Sequence, residues 1–247
     1  MAERRFHRVV DLFGEEGFQR IRDSQVTVVG LGGVGCHAAI ALARSGIGRL
    51  HLVDFDKVTE TSLNRNPIAG QQDCGGYKVD VVSQQLRITC PDTETTVLKE
   101  FFHNDTADLI FSDQPDAAVD AIDSLNPKTE LIRHCVSTGI PLFSSMGASG
   151  RRDPSLVRTG NIFETSCCPL ARQLRKYLRK RGVTEGVQCV YSVENAEDHS
   201  LPPDTEELTY QRGRVRNRIP SMITMPGIFG YALAGMVLEY LSGKTQG

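Results

Sequence analysis

The sequence lacks any C-x-x-C pair among its cysteines, which number seven in 247 residues. They stand at positions 36, 74, 90, 135, 167, 168 and 189. An odd number at irregular spacing argues against a disulfide framework and against a four-cysteine zinc site. We therefore expect no zinc, and we expect the reduced thiols of a cytoplasmic protein.

The sequence also lacks a long apolar run. Its most apolar stretch, residues 225–241, contains Pro226, three glycines and Glu239. It is shorter than the ~20 residues that a membrane-spanning helix needs. The first ten residues are charged and contain no apolar run typical of a signal peptide. We expect no transmembrane segment, and we predict that 225–241 is a buried or interface helix.

Short β-branched strands alternate with helices through the first 150 residues. After a helix at 6–21, interrupted near residues 14–17, strands are predicted at 25–30, 49–54, 95–98, 116–122 and 141–145, with helices at 33–45, 77–88 and 127–136. This alternation predicts an α/β fold with a Rossmann-like doubly wound, mostly parallel sheet. The C-terminal extension is predicted to contain strands at 156–163 and 188–193, helices at 170–181 and 222–241, and an acidic loop at 194–207.

A glycine-rich loop follows the first predicted strand and opens a helix. Gly30, Gly32, Gly33 and Gly35 satisfy G-x-G-x-x-G, and Asp54 ends the next strand nineteen residues later. Such glycines allow a tight turn against a phosphate at the helix N-terminus, and the carboxylate can accept from a ribose hydroxyl. The pattern predicts a nucleotide site without specifying the nucleotide.

Three charged residues favour ATP over NAD. Arg65, Lys78 and Asp123 follow the second strand, open the next helix and follow the fourth strand, respectively. All are expected at the carboxyl edge of the sheet, where ligands bind. A dinucleotide does not require this cluster, whereas a triphosphate needs cations and a divalent ion such as Mg²⁺, which Asp123 could hold.

These motifs resemble the superfamily of ubiquitin-activating-type adenylating enzymes. The matching pieces are residues 5–8, 30–35, 53–56, 63–65, 76–78 and 120–123. The resemblance implies a ribose contact for Asp54, phosphate contacts for Arg65 and Lys78, and a magnesium ligand in Asp123. It also implies a homodimer in which Arg8 reaches the ATP of the partner subunit.

Two neighbours of these residues differ from the superfamily pattern. Ser62 stands where an asparagine is usual, and Asn66 stands where a glutamine is usual. The usual asparagine helps to order the phosphate loop, and Asn64 is expected to take part of that role. Asp56 and Asn64 complete the expected nucleotide-binding set.

Further segments resemble one branch, the tRNA threonylcarbamoyladenosine dehydratases. They are residues 45–48, 121–124, 168–171, 189–194 and 229–231. This resemblance implies a single adenylating domain, 1–247, with an ATP-binding core at 1–150 and a substrate-contacting, dimer-forming extension at 151–247. It implies that ATP activates the threonyl carboxylate of the modified adenosine and that a ureido nitrogen then closes a ring. The branch usually has aspartate at the position of Cys168.

Basic residues support a tRNA substrate. Between 151 and 181 the chain has nine Lys or Arg and two acidic residues. The residues we expect to contact tRNA are Arg151, Arg152, Arg172, Arg175, Lys176, Arg179 and Lys180. A second cluster comprises Arg212, Arg214, Arg216 and Arg218. Since aromatics make up only 6% of the chain, phosphate and shape contacts should dominate over base stacking.

Three cysteines could have a chemical role. Cys189 lies between apolar neighbours, so we expect a packing role rather than a thioester role. Cys167 and Cys168 precede a predicted helix, where a thiolate could be stabilised.

Three alternatives remain open at this stage. The chain could activate a sulfur-carrier or ubiquitin-like protein, with a possible sulfur-transfer partner. It could be an NAD-dependent oxidoreductase. It could also bind tRNA without catalysis, which the departures at Ser62 and Asn66 make conceivable.

Overall fold

The computed structural model describes residues 4–195, 201 and 219–243, within which the strands form a seven-stranded sheet. The strands are β1 (Gln25–Val29), β2 (Arg49–Val53), β3 (Glu94–Leu98), β4 (Ala117–Asp120), β5 (Leu142–Ser145), β6 (Val157–Asn161) and β7 (Gln188–Ser192). Their order is β3-β2-β1-β4-β5-β7-β6. All neighbouring strands are parallel except β6 and β7, which are antiparallel. The prediction of a mostly parallel sheet is confirmed.

Helices cover both faces of this sheet. They are α1 (His7–Asp23), α2 (Gly33–Arg44), α3 (Lys78–Thr89), α4 (Ala107–Ile110), α5 (Leu125–Thr138), α6 (Pro169–Lys180) and α7 (Thr224–Ser242). Apolar residues of α1, α2, α3 and α7 form the core on one face. Apolar residues of α4, α5 and α6 form the core on the other. The doubly wound architecture is therefore confirmed.

The closing helix α7 packs closely on α2. A methyl group on Gly230 would lie 2.5 Å from the Val34 carbonyl oxygen, so this crossing requires a glycine. Phe229 and Leu233 are fully buried beside it. Burying such side chains contributes about 1.5–3 kcal/mol each. The predicted burial of this helix is confirmed. Among the described residues, none of the helices is both long and apolar enough to cross a membrane.

Several details differ from the sequence-based prediction. Helix α1 is interrupted at Gly14, which has φ 79°, as expected for the 14–17 region. Helix α4 was not predicted, because four residues are too few to show helical periodicity. Strand β4 ends at Asp120 rather than at 122, because the Asp120 carboxylate accepts from the Ile122 N–H and turns the chain. Most of the predicted loop 194–207, and the arginines at 212–218, lie outside the described residues.

The connections out of β1 and β4 define where a ligand can bind. Strand β1 leads into α2 on one face, whereas β4 leads into α5 on the other. These strands are neighbours, so the chain diverges at their carboxyl ends and leaves a crevice there. The glycine loop and Asp123 flank this point.

Candidate functional site

The glycine loop joins β1 to α2 in a conformation that side chains would obstruct. A methyl group on Gly35 would lie 1.8 Å from the Gly30 carbonyl oxygen. Gly30 has φ 93°, and a methyl group there would lie 2.9 Å from the Ala121 backbone. A methyl group on Gly32, by contrast, would have no atom of the described residues within 4 Å apart from its chain neighbours. The loop is thus tightly packed on its inner side and open at Gly32.

The N-terminus of α2 suits an anion. No side chain in the described part of the chain caps it, and its first turn contains no acidic residue. The first N–H groups of a helix lack intrahelical partners and carry partial positive charge. The open side of the loop therefore has the chemistry to bind a phosphate.

Asp54 ties this loop to the end of β2. One carboxylate oxygen accepts from the Leu31 N–H at 2.5 Å, and the other accepts from the Asp56 N–H at 2.7 Å. Burial raises the pKa of the Asp54 carboxyl, and the nearby Lys78 opposes that shift. Each oxygen retains a further lone pair. The predicted ribose contact remains a prediction, but the anchoring role is visible in the structure.

Lys78 lies near the Asp54 carboxylate and forms an ion pair with Asp56. Its Nζ is 2.8 Å from Asp56 Oδ2, and its backbone N–H donates to the Asp56 carbonyl at 3.0 Å. Asp56 Oδ1 is buried and has no hydrogen-bond partner among the described residues. An unpaired buried acceptor is costly unless a ligand or water satisfies it. The end of β2 therefore has hydrogen-bonding capacity for a ligand.

Arg65 packs against the glycine loop. Its carbonyl oxygen lies 3.1 Å from where a methyl group on Gly33 would be. Its Nη1 donates to the Thr61 carbonyl at 2.8 Å and to Asn64 Oδ1 at 3.1 Å. Asn64 also donates to the Ser221 carbonyl at 3.1 Å, just before α7. The structure thus brings Arg65 to the loop and orients its guanidinium through Asn64.

The two departures from the superfamily pattern are both buried and bonded. Ser62 Oγ donates to the Thr59 carbonyl and accepts from the Thr59 N–H, closing a short 3₁₀ turn at Glu60–Ser62. Asn66 Oδ1 accepts from the Ile68 and Ala69 N–H groups. Both residues order the chain that presents Arg65, so the departures do not leave this segment without internal hydrogen bonds.

Asp123 is exposed on the loop that follows β4. This loop contacts the glycine loop, since Ala121 packs against Gly30 and Gly35. Among the described residues, no group of three or more His, Cys, Asp or Glu could hold a metal ion alone. Mg²⁺ commonly uses only one or two carboxylates, with water and substrate phosphates supplying the other ligands. A single carboxylate at this position fits that donor set.

Sequence reasoning missed a buried ion pair beneath this loop. Lys128 Nζ lies 2.6 Å from Asp120 Oδ2, and both side chains are fully buried. Ser144 Oγ donates to the same oxygen at 2.7 Å. Both charged residues lay inside segments identified as a strand and a helix, but nothing in the local pattern showed that they meet. An aspartate inside an apolar strand was the one available signal.

The expected tRNA-contacting residues fall into two groups. Arg152, Arg172, Lys176, Arg179 and Lys180 are exposed, the last four on α6. The other two are turned inward. Arg151 is only 4% exposed and donates to the carbonyls of Gly147 and Ser149. Arg175 is half-buried and donates to Thr165 Oγ1. Arg151 therefore does not lie on the basic surface that the sequence predicted, because its guanidinium donates to backbone carbonyls just after β5.

The cysteines are all free. Cys189 is fully buried in β7, and burial raises its pKa to about 12, so its thiol is protonated at neutral pH. The predicted packing role is confirmed. Cys168 is also buried, whereas Cys167 is exposed with φ 57°. Nothing in this geometry marks either as a nucleophile.

Comparison with known proteins places this arrangement in a family. The model of the ThiF family matches residues 5–247. This chain belongs to the ThiF family. The resemblance inferred from the sequence motifs is confirmed.

Similar proteins match most of this chain. The tRNA threonylcarbamoyladenosine dehydratase of Bacillus subtilis is 40% identical over 74% of this chain and 72% of its own length. The crystal structure of the Escherichia coli dehydratase TcdA in complex with ATP has 31% identity and a TM-score of 0.86, covering 97% of this chain and 94% of that chain. The dehydratase 2 of Saccharomyces cerevisiae is 35% identical over 95% of this chain. The chain spans only 56% of that yeast protein.

Two glycines of the loop should respond differently to substitution by alanine. Gly35→Ala places a methyl group on the Gly30 carbonyl and should lower the thermal unfolding temperature by several degrees. The added methyl group of Gly32→Ala meets no neighbouring side chain or backbone in the described residues. The unfolding temperature should therefore stay within about 2 °C while the affinity for nucleotide falls about tenfold or more. Differential scanning fluorimetry and calorimetric titration with ATP measure both effects. A Gly32→Ala variant with wild-type affinity would show that no phosphate lies against this side of the loop.

Proposed function

We propose that this chain catalyses the ATP-dependent dehydration of N6-threonylcarbamoyladenosine in tRNA to its cyclic form. The observation that supports this most is the cluster of Asp54, Lys78 and Arg65 around an open glycine loop at the switch point of the sheet. The whole-chain similarity to TcdA, solved with ATP and with AMP, supports the same reaction.

The proposed reaction has two steps. The threonyl carboxylate attacks the α-phosphorus of ATP, pyrophosphate leaves, and an acyl adenylate forms. A ureido nitrogen of the same group then attacks the activated carbonyl and loses its proton, AMP leaves, and a five-membered ring closes. ATP is consumed because AMP is a much better leaving group than hydroxide. The nucleophile of the second step is already tethered, which supplies a large effective molarity.

In this reaction the side chains position and neutralise charge. We assign the ribose to Asp54, whose oxygens already accept from backbone N–H groups of the loop. Lys78 and Arg65 bind phosphates, where they stabilise the charge that develops as pyrophosphate leaves. Asp56 and Asn64 hold these two cations in place. Mg²⁺ bound by Asp123 would supply further neutralisation of the phosphates.

The alternatives have less support. Activation of a sulfur-carrier or ubiquitin-like protein would use the same adenylation site, but the exposed basic face of α6 fits a polyanionic substrate better than a protein C-terminus. An NAD-dependent oxidoreductase would leave Arg65 and Lys78 without a purpose. A tRNA-binding protein without catalysis would not need the ordered Arg65 segment. A cytoplasmic location and the assignment of 1–150 and 151–247 to ATP and substrate form part of the proposal.

We further propose that tRNA contacts the exposed basic residues Arg152, Arg172, Lys176, Arg179 and Lys180. Helix α6 has an apolar face packed on α5 and a face dominated by cations. Like charges on one exposed face raise the local concentration of a polyanion and release its counterions on binding. Arg151 is left out of this surface because it is buried, and Arg175 because it is half-buried and donates to Thr165 Oγ1.

We also propose a homodimer in which Arg8 acts on the nucleotide of the partner subunit. Arg8 is exposed on the first turn of α1. Tyr231 and Tyr240 of α7 expose about half of their surface, 53% and 52%. The rest of α7 is mostly apolar. Such a surface fits a subunit interface.

The first test uses tRNA that carries the threonylcarbamoyl modification. Incubation with this protein, ATP and Mg²⁺ should lower the nucleoside mass by that of one water, measured by mass spectrometry after digestion. Lys78→Ala should slow the change about 10²–10³-fold, because one charge-stabilising donor is lost. Arg87→Ala, an exposed cation at the other end of α3, is the control and should keep wild-type rates. An unchanged mass, while a known dehydratase converts the same tRNA, would refute the proposal.

The second test asks whether Arg8 acts across subunits. Arg8→Ala and Lys78→Ala subunits, each with little activity alone, should regain activity when they are unfolded, mixed and refolded together. Mixed dimers contain one site with both residues intact if Arg8 comes from the partner. Lys78→Ala mixed with Asp123→Ala is the control. Because these two residues are placed in one subunit, each site of its mixed dimers lacks one of them, and no activity should return. An Arg8→Ala and Lys78→Ala mixture that stays inactive, or a control mixture that regains as much activity, would contradict the assignment.

The third test reverses charge on α6. Arg172→Glu together with Lys176→Glu, one helical turn apart, should raise the KM for tRNA at least tenfold and leave the KM for ATP unchanged. The slope of log affinity against log salt is negative, and its magnitude should decrease by about 1.4–1.8, as the loss of two phosphate contacts predicts. Arg44→Glu on α2, exposed at the opposite end of the strands, is the control. An unchanged salt dependence in the double variant would place the tRNA elsewhere.

A further inference from the structure

A fully buried ion pair lies directly beneath the loop that presents Asp123. Lys128 Nζ is 2.6 Å from Asp120 Oδ2, and Ser144 Oγ donates to the same oxygen at 2.7 Å. Lys128 Nζ also lies 3.3 Å from Ser144 Oγ. The pair thus joins three elements: β4, which ends at Asp120, β5 and α5.

Stability alone does not account for this pair. The loss of hydration of two buried charges offsets much of their attraction, and well-packed apolar residues of similar volume often serve a fold equally well. The pair does, however, provide something that apolar residues cannot. Because Lys128 and Ser144 hold Oδ2, the carboxylate is oriented so that Oδ1 accepts from the Ile122 N–H at 3.1 Å.

The loop on either side of Asp123 is fixed by these contacts. The Ala121 N–H donates to the Val29 carbonyl of β1 at 2.9 Å. Next along the chain, Ile122 is held by Asp120. After Asp123, the Ser124 carbonyl accepts from the Lys128 N–H at 3.1 Å. This last bond is the first bond of helix α5, whose N-cap is Ser124, and any residue other than proline at position 128 could make it. The ammonium group of Lys128 acts on the loop through Asp120.

We propose that Asp120 is a positioning residue, whose acceptor for the Ile122 N–H sets the place of the Asp123 carboxylate, and that Lys128 balances the buried charge of Asp120. They do not touch the substrate, because both side chains are fully buried. This inference rests on the proposed function for one point, the role of Asp123 in binding Mg²⁺. It makes the acceptor on Asp120, rather than its charge, the feature that matters.

Two double variants separate positioning from a purely structural role. Asp120→Asn with Lys128→Met, here called the asparagine pair, removes both charges but keeps an oxygen for the Ile122 N–H. Asp120→Leu with Lys128→Met, the leucine pair, removes both charges and the acceptor, while leucine keeps the branching of aspartate. Both pairs avoid leaving one buried charge without its partner, which would be strongly destabilising. Asp120→Val with Lys128→Met replaces the leucine pair if that pair does not fold.

The first measurement is hydrogen exchange at the Ile122 amide, followed by mass spectrometry or NMR without substrate. Exchange in the asparagine pair should stay within about threefold of the wild type, whereas exchange in the leucine pair should be at least tenfold faster. The second measurement is the Mg²⁺ concentration that gives half-maximal activity. It should rise at least tenfold in the leucine pair and less than threefold in the asparagine pair.

The inference is overturned if the two folded double variants match each other in Ile122 exchange or in Mg²⁺ dependence. Failure of the proposed function has a different signature. If Asp123→Asn keeps the wild-type Mg²⁺ dependence, the role of Asp123 is wrong, whatever the exchange at Ile122 shows. If Asp123→Asn changes the Mg²⁺ dependence and the leucine pair keeps that of the wild type, only the positioning role of Asp120 is wrong.

Discussion

The buried carboxylate of Asp54 is the interaction on which the candidate site depends. It sits at the end of β2 and accepts from the backbone on both sides, at Leu31 and at Asp56. The first bond fixes the glycine loop to the neighbouring strand. The second presents Asp56, which in turn holds Lys78 at the start of α3. Since burial makes an unbonded carboxylate costly, these bonds and the loop conformation stabilise one another.

The two strands that flank β1 end in the same way. Asp54 follows β2 and Asp120 ends β4, and each accepts from the backbone N–H two residues further on. Each is also associated with a lysine of the following helix, Lys78 through Asp56 and Lys128 directly. Such local side-chain bonds turn the chain sharply. The sheet thereby delivers two short, rigid loops to the sides of the glycine loop, and one of them carries Asp123.

Sequence and structure agree where local pattern and chemistry coincide. The glycine loop was predictable because a strand, a G-x-G-x-x-G run and a helix follow one another in the expected order. The Asp120–Lys128 pair was not, because burial of a charge depends on which elements meet in three dimensions. Arg151 looked like its basic neighbours, but its guanidinium bonds to carbonyls near the end of β5. Local composition carries no information about which way a side chain turns.

The charges of the described residues at the site bear on how the phosphates of the proposed reaction would be neutralised. Two cations, Lys78 and Arg65, lie among three carboxylates, those of Asp54, Asp56 and Asp123, and Lys78 is already paired with Asp56. Within the described ranges, a polyphosphate entering here would meet two cations and the positive N-terminus of α2. Close like charges repel strongly where water is excluded. Under the proposed function, a divalent ion at Asp123 and a further cation, for which we propose Arg8 of a second copy, would offset the charge of the phosphates.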